Sequence, residues 1–318
     1  MKEFTGKLAV ITGGGSGIGR ALARQLVAEG CSVATCDILE DNLAETRHLC
    51  ESEAAQGCTV STRHCDVSLE DEVLAFRDAV KSTHNTNHID LLFNNAGVGG
   101  GSSFVDEDRE EWERTFNICW FGVYYCARAF MPMLVASDDA HMVNTSSVNG
   151  FWATLGPMST HSAYSAAKFA VKGFTEALIT DFANNAPHVK VSVVMPGHLG
   201  TSIGTNARRI MHGGEVTEGE LARARKRYMA LGVIDSSASD EQVREAIDGI
   251  GEWFRQSAPT TAEQAASIIL DGVREERWRI LVGDDARHLD EMVRAAPEEA
   301  YTEQFLATLR ERTEWNLG

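Results

Sequence analysis

The first two-thirds of the chain alternates short apolar runs of strand length with amphipathic stretches of helical period. The strand candidates are residues 7–12, 32–36, 59–64, 89–93, 141–145 and 189–195. The helix candidates are residues 18–29, 40–55, 69–82, 108–135 with a break near Asn117, and 163–184. Because strands and helices alternate, the pattern predicts an α/β fold with a doubly wound parallel sheet and helices on both faces.

The alternation stops after the sixth strand candidate. Residues 202–259 are charge-rich, helical in pattern and interrupted by glycines, and no strand is evident there. A helix candidate at 262–275 and a strand candidate at 279–282 follow, and a polar helical extension occupies residues 284–318. With no internal repeat or low-complexity linker, we interpret residues 1–318 as one domain that carries an insertion at 202–259.

The charge balance narrows the choice of partners. The chain of 318 residues has a formal net charge of −17, which repels phosphate backbones and anionic lipid headgroups. Nucleic acid and membrane surfaces are therefore poor partners. One basic run, residues 223–227, lies between acidic segments and is interpreted as a solvated helix face.

The seven cysteines are odd in number and show no CxxC spacing. This usage indicates reduced, mostly buried thiols and a cytoplasmic protein. The N-terminal segment enters a strand candidate at once, without signal-peptide architecture, and we expect no stretch able to span a bilayer. No cluster of histidine, cysteine and carboxylate has metal-ligand spacing, so no catalytic metal is expected.

A glycine-rich segment, TGGGSGIG at residues 12–19, lies between the first strand and the first helix. A dinucleotide diphosphate needs backbone N–H groups at close range, which excludes side chains, and a helix N-terminus adds its positive dipole end. The glycines do not follow GxGxxG, and a plain tight turn is the alternative. The strand-turn-helix context favours a nucleotide site. Its predicted residues are Gly13, Ser16, Gly17, Ile18 and Gly19.

Asp37 follows the second strand candidate, where a carboxylate can accept hydrogen bonds from both ribose hydroxyls of NAD. The same carboxylate would repel the 2′-phosphate of NADP, so we expect NAD as the cofactor. The alternative role for Asp37 is a helix N-cap. Asp66, with Val67 beside it, follows the third strand candidate. In one interpretation Asp66 binds the adenine amino group, and in the other it only begins the next helix.

Five motifs in order resemble those of the short-chain dehydrogenases/reductases, over roughly residues 5–201 and 260–283. They are residues 12–19, Asn94-Asn95-Ala96-Gly97, Ser147, Tyr164-x-x-x-Lys168 and Pro196-Gly197-x-x-x-Thr201. The resemblance implies a Rossmann fold and a nicotinamide cofactor. It also implies that Asn94, Ala96 and Gly97 line the adenosine side, that Pro196 and Gly197 turn the chain beneath the nicotinamide, and that Thr201 binds its carboxamide.

The residue types suit removal of a hydroxyl proton from an alcohol. A free tyrosine has a pKa of about 10, too high for efficient base catalysis at neutral pH, and a nearby cation lowers it. Lys168 lies four residues after Tyr164, so both project from one helix face. By resemblance, Tyr164 is the acid/base, Ser147 orients the substrate oxygen, and Asn117 supports a water chain from Lys168. A core tyrosine with a surface lysine, and a helix N-cap at Asn117, are the alternatives.

One departure from the family's spacing affects the substrate side. Ser147 lies seventeen residues before Tyr164, where the family places its serine about a dozen before, so we expect an enlarged loop overhanging the substrate. The loop contains Phe151, Trp152, Leu155 and Met158, and the competing serines are Ser146, Ser159 and Ser162. His161 and His198 fall near the expected pocket and are assigned no role beyond possible substrate contact.

We therefore expect an NAD-dependent oxidoreductase acting on a secondary alcohol or its ketone. The alternatives are an NADPH-dependent carbonyl reductase of the same fold and a non-catalytic dinucleotide-binding protein. The insertion is expected to form a helical lid over the substrate, and a cap on a subunit interface is the alternative. Its predicted apolar underside is Tyr228, Met229, Leu231, Val233, Trp253 and Phe254. By resemblance, a homodimer or homotetramer assembles through the helices near 117–135 and 163–184.

Overall fold

A parallel sheet of seven strands forms the centre of the protein, whose computed structural model describes residues 1–100, 104–105, 108–156, 161–313 and 315. The strands along the chain are β1 (Leu8–Thr12), β2 (Ser32–Asp37), β3 (Val60–His64), β4 (Leu91–Asn94), β5 (Ala140–Thr145), β6 (Val189–Pro196), β7 (Leu199–Gly200), β8 (Thr260–Thr261) and β9 (Arg279–Val282). All except β7 and β8 belong to this sheet, in the order β3-β2-β1-β4-β5-β6-β9. The predicted doubly wound sheet is confirmed, and the winding reverses between β1 and β4.

Helices cover both faces of the sheet, as predicted. The helices are α1 (Gly17–Ala28), α2 (Glu40–Glu53), α3 (Glu70–His84), α4 (Arg109–Phe116), α5 (Gly122–Val135), α6 (Ser162–Asn185), α7 (Ile203–His212), α8 (Glu218–Ala230), α9 (Asp240–Gln256), α10 (Ala262–Arg274), α11 (Asp284–Ala295) and α12 (Glu303–Arg312). One core lies between the sheet and α1, α2 and α10, and the other between the sheet and α3, α5 and α6. The apolar strands β1 and β4 are buried along their whole length because helices cover both sides of them.

The long helix predicted at 108–135 is continuous rather than broken. Between α4 and α5, residues Asn117–Phe121 form a π-helical turn, which inserts one extra residue per turn without ending the helix. The whole helix, Arg109–Val135, has the length and hydropathy of a membrane span, so the expectation that no stretch is long enough was wrong. In this fold 56% of the apolar 18-residue stretch of this helix is buried inside the protein.

The insertion forms a helical unit with a small core of its own. This core consists of Leu221, Tyr228, Val243 and Ile247, with partly buried neighbours from α8 and α9. Strands β7 and β8, which the sequence did not predict, pair in parallel where the insertion leaves and rejoins the domain. Of the predicted apolar underside, Tyr228 belongs to this core, while Met229, Leu231, Val233 and Trp253 are exposed, so whether they face a substrate stays a prediction.

The loop after Ser147 packs beneath the C-terminal extension. Trp152 is 1% exposed, and its indole N–H donates to the carbonyl of Ala300 at 2.6 Å. The indole N–H of Trp315 donates to the carbonyl of Leu155 at 3.3 Å. The expectation that Trp152 and Leu155 overhang the substrate was therefore wrong, because their apolar surface is buried against α11 and α12. Met158 and Ser159 lie outside the described residues.

Candidate active site

The glycine loop lies where the carboxyl ends of β1 and β4 meet, beside the reversal in winding. Gly13 has φ +68°, and a side-chain carbon there would lie 2.7 Å from Cα of Ala96. The Thr12 hydroxyl accepts the backbone N–H groups of Asn95 and Ala96, both at 3.0 Å, and the Asn95 amide donates to the Thr12 carbonyl at 3.1 Å. Gly19 packs directly against the Gly13 carbonyl. Asn95, which the sequence analysis did not select, therefore fixes the shape of the loop.

The first turn of α1 faces the same end of the sheet. Its leading N–H groups, starting at Gly17, have no partner within the helix, which makes this end suitable for an anion. The Ser16 hydroxyl accepts a hydrogen bond from the Asn206 amide of α7 at 3.0 Å. A side-chain carbon at Gly17 would lie 3.2 Å from the Thr201 methyl, and Ile18 packs partly into the core. These residues fit a dinucleotide diphosphate: backbone donors are presented and side chains are excluded.

Asp37 is aimed at the glycine loop. Its carboxylate accepts the backbone N–H of Gly15 at 2.9 Å through one oxygen and that of Leu39 at 3.0 Å through the other. The residue that caps α2 is Leu39, so the helix N-cap alternative for Asp37 is wrong. Close by, Arg209 of α7 pairs with Asp41 at 2.7 Å. The remaining lone pairs of Asp37 are available to hydroxyl donors.

Asp66 is already engaged by its own chain. Its carboxylate accepts the backbone N–H of Ser68 at 2.9 Å and the Ser68 hydroxyl at 2.6 Å, and it pairs with Arg114 at 2.8 Å. Burial raises the pKa of this carboxyl, but the bonds from Ser68 and Arg114 outweigh burial and hold the pKa below its usual value. Val67 packs against Gly122. Asp66 therefore holds the segment before α3, whose N-cap is Leu69, and its contact with the adenine amino group stays a prediction.

The side chain of Asn94 does not face the expected adenosine side of the cofactor site. It is 1% exposed, and its amide donates to the Asn144 carbonyl oxygen at 2.8 Å. The Asn144 amide continues to the Thr175 hydroxyl at 3.0 Å. The side chain of Asn94 points into the layer between β4, β5 and α6, because alternate residues of a strand face opposite sides of the sheet.

Tyr164, Ser147 and Lys168 come together as predicted, beyond the carboxyl end of β5. The Ser147 hydroxyl is near enough to the Tyr164 hydroxyl to favour its ionised form. The Ser147 hydroxyl also accepts the backbone N–H of Asn149 at 3.1 Å. The Lys168 ammonium lies 5.4 Å from the centre of the Tyr164 ring and donates to the Thr145 carbonyl at 2.9 Å. The alternative of a surface lysine is wrong, because Lys168 is 3% exposed.

The buried position of this group changes its electrostatics. Burial raises the pKa of Tyr164 above its ordinary value, and Ser147 opposes that rise only in part. Burial also lowers the pKa of Lys168. Burial therefore dominates the pKa of Tyr164 in the protein without cofactor, and the lowering of this pKa by Lys168 together with the positively charged nicotinamide stays a prediction.

Asn117 lies at the start of the π-helical turn. It is partly exposed and makes no side-chain hydrogen bond to any described residue. Its role in a water chain from Lys168 therefore stays a prediction. Cys119, in the same turn, is buried, and a side-chain carbon at Gly97 would lie 3.5 Å from Nζ of Lys168 and 3.7 Å from Sγ of Cys119.

The structure separates Ser147 from two competing serines. The Ser146 hydroxyl donates to the Lys168 carbonyl at 2.8 Å, and that of Ser162 accepts the Trp112 indole N–H at 2.9 Å. Both are occupied in packing. His161 lies 6.1 Å from the Tyr164 ring, measured between ring centres, and burial lowers its pKa to about 4, which keeps it neutral.

The turn after β6 is fastened to the start of α11. The His198 backbone N–H donates to the Asp285 carboxylate at 2.6 Å, and a side-chain carbon at Gly197 would overlap that carboxylate. Burial raises the pKa of Asp285. His198 is 2% exposed, and its ring packs 4.4 Å from the Phe254 ring, measured between ring centres. The turn that begins at Pro196 is thus set by the C-terminal extension.

Within the described part of the chain, no group of three or more histidine, cysteine or carboxylate side chains could hold a metal ion. All seven cysteines are free thiols, and all but Cys58 are buried.

Comparisons with known proteins identify relatives along most of the chain. A curated Mycobacterium tuberculosis protein named as an oxidoreductase, SadH, is 36% identical over 295 residues, which is 92% of each chain. A short-chain dehydrogenase/reductase from Burkholderia phymatum in complex with NAD is 29% identical with a TM-score of 0.74, and the match covers 95% of this chain and 98% of that one.

A metagenomic short-chain oxidoreductase in complex with NADP is 26% identical with a TM-score of 0.54, covering 75% of this chain and 94% of its own. The family model described as short chain dehydrogenase matches residues 7–211, which include the glycine loop and the serine, tyrosine and lysine group. The chain belongs to the short-chain dehydrogenase/reductase family of oxidoreductases.

Proposed function

We propose that the protein transfers a hydride between NAD and a secondary alcohol or its ketone, with Tyr164 as the acid/base. One observation carries this proposal: the Ser147 hydroxyl lies near the Tyr164 hydroxyl while the Lys168 ammonium lies beside the same ring. These are the groups needed to hold an alcohol oxygen and to accept its proton.

Each of the three side chains has one task. Tyr164 takes the hydroxyl proton during oxidation and returns it during reduction. The Ser147 oxygen accepts the Asn149 N–H, so its one hydrogen, directed at the Tyr164 oxygen in the free protein, can turn to the substrate oxygen when an alcohol is bound. Lys168, held by the Thr145 carbonyl, keeps a positive charge near the tyrosinate as it forms.

The glycine loop and the first turn of α1 would hold the cofactor diphosphate, Ala96 and Gly97 would line the adenosine side, and Pro196, Gly197 and Thr201 would border the nicotinamide half. When bound, the nicotinamide supplies the hydride acceptor or donor. The side chains that close this end are small, since bulk at Gly13 would meet Ala96 and bulk at Gly17 would meet Thr201.

The preference for NAD is proposed from Asp37. Its carboxylate faces the loop and would accept ribose hydroxyls, while a 2′-phosphate would meet its negative charge. Relatives of known structure include one in complex with NAD and one in complex with NADP, so membership of the family leaves the choice open. Two cations lie at this edge, and both are paired: Arg209 with Asp41, and Arg20, which donates to the Gly15 carbonyl, with Glu45.

We also propose a cytoplasmic homodimer or homotetramer. Free thiols throughout the chain support the location. Helices α5 and α6 expose Tyr124, Phe169 and Ile179, apolar side chains that an intersubunit contact would bury.

The test is a panel of sterols, terpene alcohols, aryl alcohols and sugars, assayed for NADH formation with the wild type and with Tyr164→Phe. The phenylalanine keeps the ring and removes the acid/base. We expect oxidation of at least one secondary alcohol and a loss of about 10²–10⁴ in kcat in the variant, with NADH affinity kept. A variant that retains more than about a tenth of the wild-type kcat would overturn the role of Tyr164.

A further inference from the structure

A short turn after β5 fixes the position of the Ser147 hydroxyl. Val148–Gly150 forms a single 3₁₀ turn, and the Ser147 oxygen accepts the backbone N–H of Asn149 at 3.1 Å. The turn packs closely on α6, because a side-chain carbon at Gly150 would lie 2.9 Å from the Lys168 carbonyl oxygen. Since this N–H occupies one side of the serine oxygen, the hydroxyl hydrogen points away from Asn149. The position of the N–H therefore decides where the serine can donate.

The side chain of Asn149 ties the following segment of chain together. It is 3% exposed, and its amide nitrogen donates to the backbone carbonyls of Trp152 and Thr154, both at 2.9 Å. A primary amide has two hydrogens, so both are used on oxygens of the same segment. These two bonds set the conformation of residues 149–154, and with it the position of the Asn149 backbone.

The C-terminal extension holds this segment from the outside. The Trp152 indole N–H donates to the Ala300 carbonyl at 2.6 Å, and the Tyr301 hydroxyl accepts the backbone N–H of Ala153 at 3.2 Å. Val148 of the 3₁₀ turn lies in one apolar cluster with Trp152 and with side chains of α11 and α12. A continuous path of contacts thus joins the extension to the turn after β5.

We propose that Asn149 is a positioning residue for Ser147 and that the C-terminal extension keeps it in place through Trp152. Its task is to hold the backbone N–H that orients the serine hydroxyl. The inference rests on the proposed function, because it assigns a task within that same site. The family model matches residues 7–211, so the extension acts on this serine from outside the matched segment.

The test is Asn149→Leu, which is neutral and close in volume and removes both amide hydrogens while keeping the backbone N–H. We expect kcat for alcohol oxidation to fall about 10–100-fold, because the serine hydroxyl loses its orientation. Affinity for NADH should stay close to that of the wild type, since the glycine loop is untouched. Trp152→Phe removes the indole N–H and leaves Asn149 in place, and it should cause a smaller loss of the same kind.

A double-mutant cycle with Ser147→Ala separates positioning from general damage to the fold. A donor to the reacting oxygen is worth about 10²–10³ in kcat, so Ser147→Ala alone should lose that much. Without the serine hydroxyl nothing is left to orient, so adding Asn149→Leu should lower kcat by no more than about twofold further. Losses that multiply in the double variant overturn the inference, as does a wild-type kcat in Asn149→Leu. An unchanged kcat in Trp152→Phe overturns the part assigned to the extension.

Ser137→Ala is the matched control, because it removes a buried hydrogen bond at the opposite end of β5. The Ser137 hydroxyl donates to the Asp90 carboxylate at 2.8 Å. This variant should lower the stability to denaturant and leave kcat unchanged, with or without Ser147→Ala. If Asn149→Leu does not fold, Asn149→Ala, which leaves room for water at the two carbonyls, enters the same cycle. Residual turnover in Tyr164→Phe would overturn the proposed function separately, since Tyr164 takes no part in this cycle.

Discussion

A single tyrosine illustrates how burial and charge compete within this site. Partial removal from water raises the pKa of Tyr164, and the same burial weakens the charged form of Lys168. If Tyr164 is the base, as proposed, further positive charge near it would favour its ionised form, and the ring of an oxidised nicotinamide carries such a charge. This dependence would link proton removal to the presence of the cofactor that receives the hydride.

One substitution tests the proposed role of Asp37 in selecting the cofactor. Wild-type protein should favour NAD over NADP by at least about tenfold in kcat/KM, which corresponds to about 1.4 kcal/mol. Asp37→Ala should narrow that ratio, because it removes the ribose acceptor and the repulsion of the 2′-phosphate together. The measurement is kcat/KM with each cofactor at one alcohol concentration.

Asp41→Ala is the control for Asp37→Ala. It frees Arg209 without altering the carboxylate at the loop, and it should leave NAD use close to that of the wild type. Equal use of both cofactors by the wild type would place Asp37 away from the ribose.

The sequence predicted Ser147, Tyr164 and Lys168 because their spacing and order follow from a strand end and a helix face. It indicated an irregularity of the long helix near Asn117, where the structure has a π-helical turn, while the water chain expected at Asn117 stays a prediction. It also gave Asn94 an outward role, although alternation along β4 turns that side chain inward. The register of a residue within its helix or strand decides which way its side chain faces. Amino-acid composition carries little information about that register.

At the scale of elements, the C-terminal extension belongs to the site although it lies beyond the matched family segment. The carboxylate of Asp285, at the start of α11, fills the space beside Gly197 and accepts the His198 N–H. The sequence predicted helices in this extension but not their contact with the turn after β6, because nothing in a polar helical pattern indicates its partner. The strands and most helices were predictable, since their periods are long and regular.

The turn after β6 contacts the C-terminal extension. We therefore expect substitutions at Gly197 and Asp285 to have non-additive effects on stability and on cofactor binding. Gly197→Ala should destabilise the fold by about 1–3 kcal/mol and raise KM for NAD, because the new methyl overlaps the Asp285 carboxylate. Adding Asp285→Ala should recover part of the loss, since it removes the overlapping group. Denaturant unfolding and cofactor titration of both single variants and the double variant measure the coupling.

Gly249→Ala provides the matched control. That glycine lies inside α9 with nothing within 4 Å of the added carbon, so alanine there should be neutral or stabilising. If the two single effects of Gly197→Ala and Asp285→Ala simply add, the carboxylate and the turn are independent.

At the scale of the whole molecule, the insertion spans the opening of the cofactor end through polar contacts. Asn206 bonds to Ser16 of the glycine loop, and Arg209 pairs with Asp41. On the other side Glu111 of α4 lies 3.5 Å from His212 and 3.3 Å from Arg223. Contacts of this kind, made by exposed charges, are weak one by one, so the insertion is suited to opening and closing.

The proposed lid role predicts ligand-dependent proteolysis. Trypsin should cleave the arginine-rich helix α8 in the free protein and should cleave it several-fold more slowly when NAD and an alcohol analogue are both bound, because closure protects the chain. Cleavage rates followed by mass spectrometry with each ligand alone and with both provide the measurement. A cap on a subunit interface would be protected from the start, and more so at higher protein concentration. The lid role is ruled out if neither ligand changes the cleavage rate and the cleaved enzyme keeps its kcat and KM.

The parallel pairing of β7 with β8 has an evolutionary consequence. Leu199 lies opposite Thr260 and Gly200 opposite Thr261, so the 58 residues between 202 and 259 begin and end within neighbouring strands. A segment with such close ends can be lengthened or replaced at little cost, since doubling a loop adds only about 0.6 kcal/mol of closure entropy. Mutation can therefore change the insertion, the segment proposed to cover the pocket. The serine, tyrosine and lysine group and the glycine loop then stay the same.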